Sequence, residues 1–206
     1  LLSIPSLGSL PNLPDILISP DQKNNSFIEN LILLDSYKGS EKSRIIKRFH
    51  YQETLRNLYS SIKLLSIDKP IKIIQIVSTI PGEGKSFINI LFSKILSELD
   101  KKVLLIDCDL RKPQLHKRLG MNNIRGLSNF LSDKSLNIED VVQTVPNFKN
   151  WDVITSGSTP PNATRLLNSQ KMQSFIKELA NLNYDLILFD TPPLLGISDS
   201  KIISSL

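Results

Sequence analysis

Nine residues, STIPGEGKS (Ser78 to Ser86), separate two segments of different hydrophobic period. Before them, Ile71 to Val77 is a mainly apolar run, the pattern of a buried strand. After them, Ile88, Leu91, Phe92, Ile95 and Leu99 recur at helical spacing. Strand, glycine-rich turn, Lys-Ser and helix form the context of a phosphate-binding loop. Gly82 and Gly84 let backbone N–H groups turn inward with no Cβ in the way. The N-terminus of the following helix adds partial positive charge. Lys85 is placed to reach the β- and γ-phosphates of a nucleotide, and the Ser86 hydroxyl to join a Mg²⁺ shell. The stretch fits G-x-x-x-x-G-K-[ST] except at Thr79, which stands where the first glycine belongs. A glycine-rich turn before an ordinary helix gives the same short string, so the assignment needs support from the rest of the chain.

The length, 206 residues, allows one domain with a real core. Cys108 is the single cysteine, which excludes an internal disulfide and fits a reducing compartment. No apolar run approaches a membrane span, and no leader is visible. The first residue is Leu1 and the chain stops at Leu206 just after a new element begins, as expected of a piece of a longer polypeptide. The net charge of +5 is read as a solvated, mildly basic surface, with no nucleic-acid partner.

Four prolines (Pro5, Pro11, Pro14 and Pro20) rule out a long helix at the start. IPSLGSLP reads as a short extended segment, Phe27 to Leu34 as an apolar patch, and Ser36 to Ser43 as a linker. Residues 1–42 are thus taken as a linking segment and 43–206 as the main domain. Ile45, Phe49, Leu55, Leu58, Ile62 and Leu65 predict a long amphipathic helix over 44–67, with Arg44, Lys47, Arg48 and His50 as a wet face at its start. Val103 to Ile106 is a short buried strand that runs into Asp107, Asp109 and Arg111. If that segment stays extended, the two carboxylates point the same way, at the strand end where ligands bind in a parallel sheet. There they can hold Mg²⁺ partly through water.

Short helices are expected over 113–119 and 126–131, and a third over 138–144, capped by Asn137 with Glu139 and Asp140 in its first turn. WDVITSG (Trp151 to Gly157) reads as a strand with Trp151 as packing, and STPPN (Ser158 to Asn162) as a rigid turn. Met172, Phe175, Ile176, Leu179 and Leu182 mark another helix. Leu186 to Phe189 is a wholly apolar strand ended by Asp190, the form of a Walker B segment that delivers one carboxylate to a metal. Alternating strands and helices predict an α/β fold with a parallel, doubly wound sheet.

Three strand-end motifs agree: PGEGKS, LLIDCDLR (Leu104 to Arg111) and LILFDTPP (Leu186 to Pro193). Together they resemble the Walker A, A′ and B motifs of the bacterial tyrosine kinases of the capsular exopolysaccharide family, with D-x-D-x-R and D-T-P-P the specific parts. GLSNFLSD, GSTPPNATRLLNSQKM and IPSLGSLP extend the resemblance over most of the chain. It implies a P-loop fold related to septum-positioning and partition ATPases, and transfer of the ATP γ-phosphate to protein tyrosines in control of polysaccharide chain length and export.

The resemblance also implies homo-oligomers, a membrane-spanning activator fused upstream or separate, and a place at the cytoplasmic face of the bacterial inner membrane. Residue by residue, it places Gly82, Glu83, Gly84, Lys85, Ser86, Phe87 and Arg111 at the nucleotide. It places Ser86, Asp107, Asp109 and Asp190 at Mg²⁺, and Lys85 with the three aspartates in catalysis, Asp107 or Asp109 helping to deprotonate the tyrosine.

Two departures stand out. The family's E-x-x-R-x-x-R motif appears as Glu53, Arg56 and Tyr59, without its last arginine. The tyrosine-rich tail is missing: Tyr37, Tyr51, Tyr59 and Tyr184 are scattered and read as structural. Two other readings compete. A partition-type ATPase switch carries K-G-G-x-G-K, where this chain has Ile80 and Pro81 in the first two positions. A co-polymerase scaffold would keep the nucleotide site without catalysis.

Overall fold

The computed structural model describes residues 41–65, 70–195 and 198–205, with backbone only for 41–50. The expected segment over 1–42, apart from its last residues, and the side chains of the basic cluster at 44–50 lie outside what is described. The chain divides into two compact units, residues 1–71 and 72–206. In the first, α1 (Glu41–Leu65) is one long helix. On it Arg56 donates to Glu53 at 2.8 Å, an exposed pair three residues apart, so the two charges of the incomplete motif engage each other.

The second unit is a five-stranded sheet in the order β1-β5-β2-β4-β3. Its elements follow in chain order: β1 (Ile73–Ile76), α2 (Lys85–Glu98), β2 (Val103–Asp107), α3 (Leu115–Leu119), α4 (Leu127–Ser132), β3 (Val142–Thr144), β4 (Trp151–Ile154), α5 (Ala163–Leu167), α6 (Gln170–Asn181), β5 (Leu186–Asp190) and α7 (Asp199–Ser204). Strands β1, β5, β2 and β4 are parallel, and β3 pairs antiparallel to β4 at one edge.

The wholly apolar runs of β2 and β5 are central and fully buried, as parallel strands covered on both faces must be. Alternation then sorts their side chains. Leu104, Ile106, Ile187 and Phe189 share a core with Phe130, Met172, Phe175 and Leu179 from α4 and α6. The Phe130 and Phe175 rings meet at 5.1 Å. Helix α2 packs against β2 and β5 with Ile90, Phe92 and Leu96 fully buried.

One predicted helix is not there. The segment expected to be helical over 138–144 makes a single 3-10 turn, Ile138–Asp140, and then becomes β3. The Asp140 carboxylate does accept from the Asn137 N–H at 2.8 Å, so the start signal was real. The following Val-Val-Gln-Thr is rich in β-branched residues, which prefer a strand. Trp151 is fully buried, with Phe148 edge-on at 5.1 Å, in keeping with its reading as packing.

Two backbones touch beside β4. The N–H groups of Leu127 and Ser128 donate to the carbonyls of Thr155 and Ser156 at 2.8 and 2.9 Å. A Cβ on Gly126 would lie 2.2 Å from the Thr155 carbonyl oxygen and 2.3 Å from the Gly157 nitrogen. Gly157 has φ +77°, and a Cβ there would strike the Asn129 side chain at 2.2 Å.

Candidate nucleotide and cation site

The loop between β1 and α2 curls at Gly82 and Gly84, both in the left-handed region with φ of 88° and 90°. A side chain at either would have room but not the backbone conformation. Gly84 ends the turn and α2 begins at Lys85, so the N–H groups of the first helical turn point out of the helix end. The base of the loop is tied to the segment after β5: Leu194 and Leu195 N–H donate to the carbonyls of Ser78 and Thr79 at 2.9 and 3.0 Å.

The place of the missing first glycine is held by a side chain. Glu83 accepts from the N–H of Thr79 at 2.7 Å and of Ile80 at 3.1 Å. Its carboxylate therefore closes the loop on itself and is not turned toward a bound phosphate. Phe87 is buried, 5 % exposed, so only its backbone can face a nucleotide.

The loop opens onto the carboxyl ends of β2 and β5. Asp107 and Asp190 are register partners on these adjacent strands, and both side chains are buried. Asp190 takes a hydrogen bond from Asn89 Nδ2 at 3.0 Å, and the Ser86 hydroxyl and the Lys85 charge favour its ionised form. Burial outweighs these and pushes its carboxyl up to about 6. Asp107 is also raised well above the usual carboxylate range, by burial first and by the neighbouring Asp190 second. Its oxygens accept from the N–H of Asp109 at 3.2 Å and of Leu115 at 3.3 Å.

Asp109 departs from the extended geometry. β2 ends at Asp107, and the half-buried Asp109 carboxylate turns back to accept from Lys112 N–H at 2.9 Å. Among the described residues no three acidic, imidazole or thiol groups converge on one point. The donors that do meet are Ser86, Asp190 and its register partner Asp107, all hard oxygens and at most two of them carboxylates. That set suits Mg²⁺, which keeps several waters and takes one or two carboxylates together with substrate phosphates.

Arg111 points elsewhere. Its Nε donates to the buried carboxylate of Asp199 at 2.7 Å and its terminal nitrogen to Thr164 Oγ1 at 2.7 Å; Thr164 in turn donates to Asp199 at 2.7 Å. This triad joins the end of β2 to α5 and to the first turn of α7. The sequence reading did not include Asn89, Thr164 or Asp199. For Asn89 a signal existed: a polar residue three positions after Ser86 among apolar helix positions. Arg118, on α3, is a further cation, on which the Asp190 charge acts.

A strand, a phosphate-type loop and a helix, with carboxylates delivered from two adjacent strands of a mostly parallel sheet, define a P-loop NTPase domain. Residues 71–205 match the family model described as "AAA domain". Over 153 residues the chain is 40% identical to the tyrosine-protein kinase YwqD of Bacillus subtilis, covering 74% of this chain and 63% of that protein. It is 35% identical over 151 residues to the tyrosine-protein kinase wzc of Salmonella typhimurium, covering 73% of this chain and 21% of that one.

Among solved structures, the kinase domain of the Escherichia coli tyrosine kinase ETK superposes with a TM-score of 0.69 at 33% identity, over 75% of this chain and 59% of that chain. The septum site-determining protein MinD from Pyrococcus horikoshii, complexed with Mg-ADP, superposes with a TM-score of 0.54 at 29% identity, over 65% of this chain and 54% of that one. The chain belongs to the AAA-domain family, and its P-loop domain is similar to those of the bacterial tyrosine kinases. It spans under two thirds of the length of these two curated relatives. No described helix is long and apolar enough to cross a membrane.

Proposed function

We propose that this chain is the nucleotide-binding part of an ATP-dependent protein-tyrosine kinase that controls assembly and export of a surface polysaccharide. The observation that carries the proposal is the meeting of Ser86, Lys85 and Asp190 at one end of β5, with Asp107 its register partner on β2. Lys85 and the N–H groups of the first turn of α2 bind the phosphates. Ser86 and Asp190 would hold Mg²⁺, with Asp107 beside them for its waters, and the bound ion would supply charge neutralisation at the transferring phosphoryl group. Gly82 and Gly84 shape the cradle and Glu83 locks it. The raised proton affinity of both buried aspartates supports the cation role, because the pair lacks enough positive charge of its own.

Proton removal from the acceptor tyrosine falls to Asp109, which is half-buried where Asp107 is sealed. Arg111 acts through Asp199 and Thr164, holding the segment after β2 in place. The rate enhancement then rests on positioning and electrostatics, as in phosphoryl transfer generally. The similarity to tyrosine-protein kinases supports the kinase activity. The motif resemblance supports the polysaccharide role, an oligomer of such chains, a membrane-spanning activator, and work at the cytoplasmic face of the bacterial inner membrane.

The test is phosphotyrosine formation with Mg-ATP on the full polypeptide that carries this sequence, with Lys85→Met as control. Labelling that Lys85→Met abolishes is the expected result. Absence of labelling while ATP still binds through Lys85 moves the function to a scaffold or a switch. Unchanged ATP affinity in Lys85→Met removes the phosphate-loop assignment itself.

A further inference from the structure

Asn89 is out of place by the ordinary rules of helix packing. It lies in α2 among Phe87, Ile90, Leu91 and Phe92, and is 0 % exposed. An apolar side chain there would avoid the cost of burying an amide. The amide is only half satisfied. Nδ2 donates to Asp190 Oδ1 at 3.0 Å, whereas Oδ1 meets no donor. Because Nδ2 is committed to a carboxylate, which only accepts, turning the amide over would set oxygen against oxygen. The orphan acceptor is therefore fixed by the geometry.

The orphan lies on the same side chain that grips Asp190. Near Asp190 also lie the Ser86 hydroxyl, one turn earlier in α2, and Lys85, while Arg118 on α3 is acted on by the Asp190 charge; Asp107 is its register partner on β2. We propose that Asn89 is a positioning residue for the cation site: its N–H fixes one Asp190 oxygen, and its Oδ1 accepts from a water that arrives with the cation. The inference rests on the nucleotide and Mg²⁺ reading above. It accounts for two facts at once, the polar residue on an apolar face and the buried acceptor without a donor.

The test compares the folded protein with Asn89→Leu and Asn89→Ala. A fluorescent ATP analogue is titrated in EDTA and again across a Mg²⁺ series, and the melting temperature of each protein is recorded. In both variants the affinity in EDTA stays within about twofold of the parent, while the half-saturating Mg²⁺ concentration rises about tenfold, the scale of one hydrogen bond to a charged group. A purely structural amide would shift the melting temperature and leave the half-saturating Mg²⁺ within twofold; that result overturns the proposal. Should Asn89→Leu not fold, Asn89→Ala, which admits a water, carries the same comparison. If the parent itself binds the analogue with no dependence on Mg²⁺, the cation site falls and the role of Asn89 with it.

Discussion

Asp190→Asn in a metal-free buffer makes the folded protein more stable, and the gain grows with pH. Asp190 is 1 % exposed and titrates at about 6, against 3.8 for a free aspartate. The folded state thus keeps this proton to higher pH than the unfolded state does. As pH rises from about 4 through 6, the unfolded chain has already released its proton. Stability falls across that window and stays low above it. Holding the charge at neutral pH costs about 3 kcal/mol, at 1.36 kcal/mol for each tenfold change in proton affinity. Asparagine has the shape of the protonated acid and never charges. It can still accept from Asn89 through its own Oδ1. The variant should match the parent near pH 4 and exceed it by about 3 kcal/mol at pH 8, roughly 6–12 °C in melting temperature for a unit of this size.

Urea unfolding in EDTA at a series of pH values reads this directly, since the midpoint and slope give the free energy at each pH. Asp107 sharpens the test. Asp190 is among the causes of its raised proton affinity, so Asp190→Asn also relieves Asp107, and the gain from a second Asp107→Asn substitution should be smaller than from that substitution alone. A stability difference that is flat from pH 4 to 8, or an asparagine variant less stable than the parent at pH 8, would refute the claim that these carboxylates are held charged at a cost. If Asp190 holds the cation as proposed, the order should reverse with Mg²⁺ and nucleotide present, because the variant lacks that carboxylate.

Three further perturbations follow from the same geometry. Glu83→Ala removes the acceptor for the N–H groups of Thr79 and Ile80; nucleotide affinity should drop about three- to tenfold by titration with little change in melting temperature, since loop pre-organisation is lost and no buried contact is. Arg111→Gln strands the buried Asp199 carboxylate; discounted for the half-exposed guanidinium, the loss should be about 2 kcal/mol in urea, and Asp199→Asn in the same background should recover part of it. Tyr184→Phe removes the hydroxyl that donates to Asp152 Oδ2 at 2.8 Å, beside the Thr144 hydroxyl that donates to Oδ1. It should cost about 1–2 kcal/mol, by an amount constant from pH 6 to 9 because burial, then the Asp152 bond, keep Tyr184 protonated far above that range.

Most of the sheet was legible because its strands carry their burial in their composition. β2 and β5 are unbroken apolar runs that end on aspartate, and α2 repeats its apolar residues every three or four positions. β3 was hidden by a true helix-start signal at Asn137 that feeds only one turn. The candidate site was legible where one strand end or one loop supplies it, as for Lys85, Ser86, Asp107 and Asp190. It was not legible where two distant segments decide. Arg111 finds Asp199, 88 positions later, through a fold that no local pattern specifies. Asp109 turns away because the strand stops two residues earlier. Glu83 reads as one more loop residue until the curl of the chain brings its carboxylate over Thr79 and Ile80.

The contact between the Gly126 turn and the stretch from Thr155 to Gly157 bears on how such domains can be recombined. It is backbone against backbone, with Ser128 and Asn129 also bonded to Ser158. Residues 126–129 and 155–158 therefore form a single exchangeable cassette although 25 positions separate them. A chimera that takes one half from another domain of this family inherits a side chain or a loop path its partner half has no space for. One that takes both moves the wall beside β4 intact.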